Sequence, residues 1–255
     1  MTGSPTGDIE IIAHRGYSAR APENTLAAVQ KAIEAGADAV EWDVHVAACG
    51  TTVVIHDETL ERTTDGSGAV RARTLEQLRG LDAGRWFGSA FAGERIPTLA
   101  EALEHTRERV RRVYTEIKAD PEPDEVDRIL DVVRGAGRID DNVFISFDWA
   151  ALDRIAERDD HAHVGYITDE LELVAGALDH AAARPRAILD LDCRLILKRP
   201  QLARHAVDRG VTVAVWTVNA PAQATRLRHG GVTRFTTNEV EDLLRWKAAA
   251  PERAE

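Results

Sequence analysis

The stretch Ala39-Val40-Glu41-Trp42-Asp43-Val44-His45 decides how the rest of the chain is read. Its β-branched and aromatic residues favour a strand, and in a strand alternate side chains share a face. Glu41 and Asp43 therefore lie side by side. Two neighbouring carboxylates repel, and burying both is costly unless a positive charge lies between them. A hard divalent cation, which prefers oxygen ligands, meets that need. Taken alone, the heptapeptide also fits a solvent-facing edge strand with two surface acids. The rest of the chain favours the first reading, because matching polar groups fall at the ends of other predicted strands.

Upstream of the stretch, Ile9-Glu10-Ile11-Ile12-Ala13 predicts a buried strand running into His14-Arg15-Gly16-Tyr17. The spacing of Leu26, Val29, Ala32 and Ile33 predicts a helix over 25–35, stopped by Gly36. Downstream, Thr52-Val53-Val54-Ile55 leads into His56-Asp57. Residues 60–97 are glycine-rich and polar with one helix at 74–81, so 58–97 reads as a small insertion after the second strand. A helix begins at Thr98. Further strands are predicted at 112–118, 143–147, 164–167, 187–190, 212–216 and 234–237, with helices at 124–134, 148–158, 170–182, 200–209, 221–229 and 240–247. Asp148 is placed as an N-cap, and Pro200 as the residue that opens its helix. Eight strands alternating with helices, in a chain of 255 residues, predict an α/β fold. The expectation is a (β/α)₈ TIM barrel over 8–247, since such barrels typically take roughly 250 residues. A doubly wound sheet is the weaker alternative, because no glycine-rich dinucleotide fingerprint follows the first strand. The leader before Ile9 is read as flexible, and the tail 248–255 as frayed.

Composition narrows the function. Hydrophobic residues make up 44% of the chain, enough for a large core, and the net charge is −11. That balance argues against a nucleic-acid partner, which calls for a basic stripe. Cys49 and Cys193 form neither a disulfide framework nor a CxxC metal spacing. The first eight residues lack the basic and apolar regions of a secretory signal, and no run reaches the roughly 18 apolar residues of a membrane span. A cytoplasmic protein with no stable membrane insertion is the expectation.

Barrel enzymes build their sites at the C-terminal ends of the strands. Those ends carry His14 and Arg15, Glu41 and Asp43, Glu116 and Lys118, Ser146 and Phe147, Asp190 and Asp192, and Trp216. Glu41, Asp43 and Glu116 from two predicted neighbouring strands suit one Mg²⁺ or Ca²⁺. Arg15 and Lys118 add positive charge suited to a phosphate oxygen. His14 and His56 each follow a strand, and two imidazoles flanking a phosphorus centre supply a general base and a general acid. Asp57 is placed either to orient His56 or as a turn residue. His45 shares parity with Asp43. His105, His161, His163, His180, His205 and His229 are read as structural or surface residues.

With these residues in place, the chain resembles the glycerophosphodiester phosphodiesterase family. The matching pieces are His14-Arg15-Gly16, Pro22-Glu23-Asn24-Thr25, Glu41-Trp42-Asp43-Val44, Val54-Ile55-His56-Asp57 and Leu60-Glu61-Arg62-Thr63-Thr64. They continue with Ile96-Pro97-Thr98-Leu99, Glu116-Ile117-Lys118, Ser146-Phe147-Asp148 and Val215-Trp216-Thr217-Val218-Asn219. Each tetrapeptide is a weak signal, but the ordered set from Ile11 to Asn238 is a strong one. The resemblance implies a divalent metal on Glu41, Asp43 and Glu116, and His14 and His56 as the acid/base pair. It implies Arg15 and Lys118 on the phosphate, with Phe147 and Trp216 lining the pocket for the glycerol or alcohol. The implied reaction is hydrolysis of a small-molecule glycerophosphodiester to sn-glycerol 3-phosphate and an alcohol. Two stretches depart from the family pattern. Ala47-Ala48-Cys49-Gly50 replaces Thr-x-Asp-Gly, and Thr237-Asn238-Glu239-Val240 lacks a proline.

Three alternatives compete with this reading. A lysophospholipase D-like or sphingolipid phosphodiesterase would present an apolar or basic rim, for which Trp86, Phe87 and Phe91 are available. A non-catalytic phosphate-binding barrel conflicts with the complete set of acids and bases. A Schiff-base barrel on Lys118 conflicts with Glu116 and a metal, which keep that lysine charged.

Overall fold

The computed structural model describes residues 9–118 and 120–249. The leader and the last six residues of the tail, expected to be flexible and frayed, lie outside them. In chain order the elements are β1 (Glu10–Ala13), α1 (Leu26–Ala35), β2 (Ala39–Val46), β3 (Thr52–Val54), α2 (Leu75–Arg79), α3 (Leu99–His105) and β4 (Arg112–Ile117). Then come α4 (Pro123–Gly135), β5 (Asn142–Ser146), α5 (Trp149–Arg158), β6 (His163–Thr168), α6 (Val174–Ala182) and β7 (Ala187–Asp192). The chain closes with α7 (Cys193–Lys198), α8 (Gln201–Asp208), β8 (Thr212–Trp216), α9 (Pro221–His229), β9 (Arg234–Thr237) and α10 (Val240–Ala249).

Neighbouring strands pair in parallel around the ring β1-β9-β8-β7-β6-β5-β4-β2, and β1 pairs with β2 to close it. This is a (β/α)₈ barrel. Strand alternation gives each residue its side. On β2, Val40, Trp42 and Val44 face the helices and join the outer core, while Ala39 belongs to the barrel interior. Ile12, Tyr114, Val143, Ile145, Ile167, Ile188 and Ala214 fill the same interior layer. Each valine or isoleucine of this layer taken fully out of water contributes roughly 1.5–3 kcal/mol. Gly165 on β6 leaves room for this layer, since a Cβ there would stand 2.8 Å from both Ile145 and Ile188. Beneath it, Glu10 accepts hydrogen bonds from Arg112 and Tyr114, and Tyr114 accepts one from Arg234 at 3.1 Å. This polar group closes the N-terminal end of the barrel. The C-terminal ends carry the remaining inward polar groups.

The structure refines several sequence expectations. Thr52–Val54 forms an antiparallel partner for β2, with Val44 opposite Val54. Ala47-Ala48-Cys49-Gly50 makes the hairpin turn: Gly50 N–H donates to the Ala47 carbonyl at 2.8 Å, and Gly50 has φ +81°. β7 runs on to Asp192, whose carboxylate accepts from the Arg194 N–H and caps α7, a short helix missed in the sequence. The helix expected from residue 170 starts with a 3₁₀ turn, Leu171–Leu173, before α6. Phe147 falls one residue past β5. The other boundaries shift by only one or two residues, as fraying and capping lead one to expect.

Gly16 follows the two predicted site residues His14 and Arg15, with φ +75° and the Ala28 carbonyl carbon 2.6 Å from where a Cβ would stand. Gly16→Ala is therefore expected to destabilise the fold by more than about 1 kcal/mol. In thermal unfolding this would lower Tm by at least roughly 2–4 °C. An unchanged Tm would show that α1 yields without cost.

Candidate active site

β2 and β3 form a hairpin that carries much of the site. Ile55 N–H donates to the Asp43 carbonyl at 3.0 Å, which sets His56 beside the carboxylates of β2. Glu116 pairs across β4 with Asp43 in strand register. As a result, one ligand atom from each of Glu41, Asp43 and Glu116 lies within 4.8 Å of the others.

The donor set fits a hard cation. On Glu41, Oε2 accepts from the Arg15 N–H at 2.8 Å, while Oε1 is buried without a hydrogen bond. On Asp43, Oδ2 accepts from Asn24 Nδ2 at 2.8 Å, while Oδ1 is buried without a hydrogen bond. Glu116 Oε1 accepts from Lys118 Nζ at 2.6 Å. Glu41 and Asp43 are thus each tethered by one hydrogen-bonded oxygen, and the other oxygen of Asp43 has the Lys118 ammonium 3.5 Å away. Burial, with Asp43 and Glu116 close by, pushes Glu41 well above the usual carboxylate range. Burial, with Asp43 close by, pushes Glu116 up to about 7. Burial would raise Asp43 too, but Arg15 and Lys118 bring it down to about 2. Carboxyl groups that hold their protons more tightly than usual, as Glu41 and Glu116 do, release them when a divalent cation binds.

Each imidazole is oriented through Nδ1. His14 Nδ1 lies 2.7 Å from Asn238 Oδ1, which also accepts from Ser18 Oγ at 3.0 Å. His56 Nδ1 lies 2.7 Å from Asp57 Oδ1. Both partners are acceptors, so Nδ1 carries the proton in each ring and Nε2 is left for chemistry. His56 Nε2 is 3.1 Å from Lys118 Nζ and accepts from it. Burial and then Arg15 lower His14 to about 4, while burial lowers His56 despite the favourable charge of Asp43.

Arg62 donates to both Asp57 oxygens at 2.6 and 2.8 Å, and to both Glu23 oxygens at 2.8 Å. Glu23 also accepts from Arg15 Nη1 at 2.8 Å. A continuous chain of hydrogen bonds thus runs from His56 to Arg15. Arg15 and Asn24 have φ of +55° and +58°, a conformation uncommon outside glycine and frequent where side chains are fixed for function.

A cavity of about 270 Å³ opens at the C-terminal ends of the strands. Of the sequence-predicted residues, His14, Arg15, Glu41, His56, Glu116, Lys118, Phe147 and Trp216 line it, and Asp43 lies directly behind. Phe147 is 48% exposed at the rim and meets Trp216 edge to face at 5.8 Å. His45 turns elsewhere: its Nε2 lies 3.0 Å from the His56 carbonyl oxygen, and the ring faces a separate groove with Glu58 and Asp120. Asn24, Asn238 and Arg62 received no role from sequence reasoning. Asn24 and Arg62 stood in the quoted motifs, whereas Asn238 carries no local signal of its contact with His14. Asp190, noted only as a strand end, lines the cavity and is 2% exposed, and burial with Glu116 nearby pushes it up to about 7.

A barrel with this charged mouth is an enzyme, and one whose cations suit an anionic ester. The sequence profile of the Glycerophosphoryl diester phosphodiesterase family matches residues 14–242, and the chain belongs to that family. A glycerophosphodiester phosphodiesterase of Caldanaerobacter subterraneus is 35% identical over 238 residues, covering 92% of this chain and 96% of that protein. The structure of an Oleispira antarctica phosphodiesterase in complex with the product sn-glycerol-3-phosphate superposes with a TM-score of 0.84 at 28% identity, covering 93% and 96% of the two chains. That of a glycerophosphodiester phosphodiesterase from Agrobacterium tumefaciens superposes with a TM-score of 0.78 at 29% identity, covering 95% and 100%. Among the described residues no helix is long and apolar enough to cross a membrane.

Proposed function

We propose that the protein hydrolyses small glycerophosphodiesters to sn-glycerol 3-phosphate and an alcohol, using one divalent cation, Mg²⁺ or Ca²⁺, and a pair of histidines. The observation that carries this reading is the convergence of three carboxylates, two cations and two Nδ1-anchored imidazoles on one cavity. Glu41, Asp43 and Glu116 would hold the cation. When bound, it supplies Lewis acidity that polarises a phosphate oxygen and lowers the pKa of a nearby hydroxyl.

The remaining steps belong to the side chains. Arg15 and Lys118 bind the phosphate and offset its charge. When Lys118 turns to a phosphate oxygen, His56 Nε2 loses its donor and is free to exchange a proton. One imidazole removes the proton of a glycerol hydroxyl as that oxygen attacks phosphorus, closing a cyclic phosphate. The other, having taken up a second proton at Nε2, protonates the departing alcohol oxygen, and the two exchange roles as water opens the ring. The Asp57 carboxylate steadies the positive charge on His56, while Asn238 steadies only the orientation of His14. Phe147 and Trp216 form the wall for the glycerol or alcohol.

The test is turnover of glycerophosphocholine, glycerophosphoethanolamine and lysophosphatidylcholine, each with and without a chelator. Release of sn-glycerol 3-phosphate from the first two, lost with chelator and restored by Mg²⁺ or Ca²⁺, is expected. Turnover confined to lysophosphatidylcholine would transfer the assignment to the lipid-acting class.

A further inference from the structure

The barrel ring has eight members, so each strand has one directly opposite. Counting either way round, β7 is four strands from β2, and β8 is four from β4. Asp190 on β7 therefore faces the wall of Glu41 and Asp43 across the mouth, and Trp216 on β8 faces the wall of Glu116 and Lys118. Asp190 is buried and lines the cavity, and its Oδ1 has no hydrogen-bond partner in the protein. Trp216 lines the same cavity, and its buried indole Nε1 also lacks a partner. A buried polar atom left unsatisfied costs free energy, and a ligand group that completes it recovers that loss.

The chemistry of this wall is selective. A carboxyl oxygen accepts a hydrogen bond in either protonation state, and an indole N–H only donates. An acceptor beside a donor complements a hydroxyl group, and the acceptor repels a phosphate. The cations are concentrated on the other wall, at Arg15 and Lys118. We infer that Asp190, with Trp216 Nε1, is the specificity-determining contact for the terminal hydroxyl of the glycerol end, the one the cation does not activate, opposite the wall that takes the phosphate. This deepens the glycerophosphodiester reading and rests on it. Phe147, edge-on to Trp216, then closes the apolar side of the glycerol chain.

The test compares binding of sn-glycerol 3-phosphate with propane-1,2-diol 1-phosphate, which has the same charge and lacks only the terminal hydroxyl, by calorimetry in Mg²⁺ buffer. In the wild type, glycerol 3-phosphate is expected to bind at least roughly tenfold more tightly, the scale of lost hydrogen bonds to a buried carboxyl. Asp190→Leu is expected to remove that preference while leaving diol phosphate affinity within about threefold. Asp190→Asn, whose amide still accepts, is expected to keep most of it, and Trp216→Phe to lose part. The wild-type comparison of the two ligands needs no substitution, so equal affinities refute the assignment even if Asp190→Leu fails to fold. Equal wild-type affinities, no glycerol 3-phosphate binding, or equal losses for both ligands in Asp190→Leu would each overturn the assignment. Glycerophosphocholine turnover is read on the same wild-type preparation. Its absence would refute the proposed reaction separately, because the binding preference is measured without turnover.

Discussion

Alanine in place of His14 or His56 is expected to lower kcat by on the order of 10²- to 10⁴-fold, the range for loss of a positioned acid or base. KM is expected to change little, because Arg15 and Lys118 hold the phosphate and are untouched. The two substitutions are not expected to multiply. The two rings act together in one transition state, so the double variant should be about as slow as the worse single one. Steady-state kinetics of the three variants, with circular dichroism to confirm folding, measures this. Turnover within threefold of wild type in both single variants would remove the histidines from the chemistry. Rate losses that multiply in the double variant would mean that the rings serve separate steps.

Loss of the carboxylates should be at least as damaging. Glu41→Ala, Asp43→Ala or Glu116→Ala removes a ligand from a group contributing several kcal/mol to the transition state, hence a fall in kcat/KM on the order of 10³-fold or more. Chelation of the wild-type protein should produce the same loss, reversed by added cation. The pH dependence has a definite sign. Without a cation, Glu41 lies well above the usual carboxylate range and Glu116 near 7, while Asp43, near 2, stays ionised. A cation must displace the proton that Glu116 takes up in this range, and the raised Glu41 acts in the same direction. Apparent affinity is therefore expected to weaken as pH falls from about 8 to about 6, by roughly tenfold per pH unit for each proton displaced. Calorimetry in two buffers of different ionisation enthalpy reads the released protons directly, independently of turnover. A pH-invariant affinity, or full activity in chelator, would dismiss the cation.

Much of this could be seen in the sequence because the decisive features are local. The parity of Glu41 with Asp43, and of Glu116 with Lys118, follows from a two-residue repeat, and β/α alternation follows from runs of apolar residues ended by glycine and proline. The hidden parts depend on chain closure. Asn238 reaches His14 across 224 residues, and Arg62 reaches Glu23 across 39. No local pattern announces either. Asp190 was visible as an acid at a strand end, but its position opposite β2 emerges only once the ring is closed. α7 was missed because six residues are too few to show a helical repeat. The parity that aligned His45 with Asp43 did not foresee that its ring would turn to the His56 carbonyl.

His14 and His56 are supported by different parts of the molecule. His14 extends a barrel strand, whereas His56 follows β3, where Val53 and Ile55 pack with Leu60, Val70, Leu78, Ala83 and Ile96 in a cluster apart from the barrel's core. Small peripheral clusters open at lower free energy than the main core. Warming would therefore detach the arm that carries His56 while the barrel stays folded, so heat inactivation of this enzyme would begin as a loss of alignment before any loss of fold.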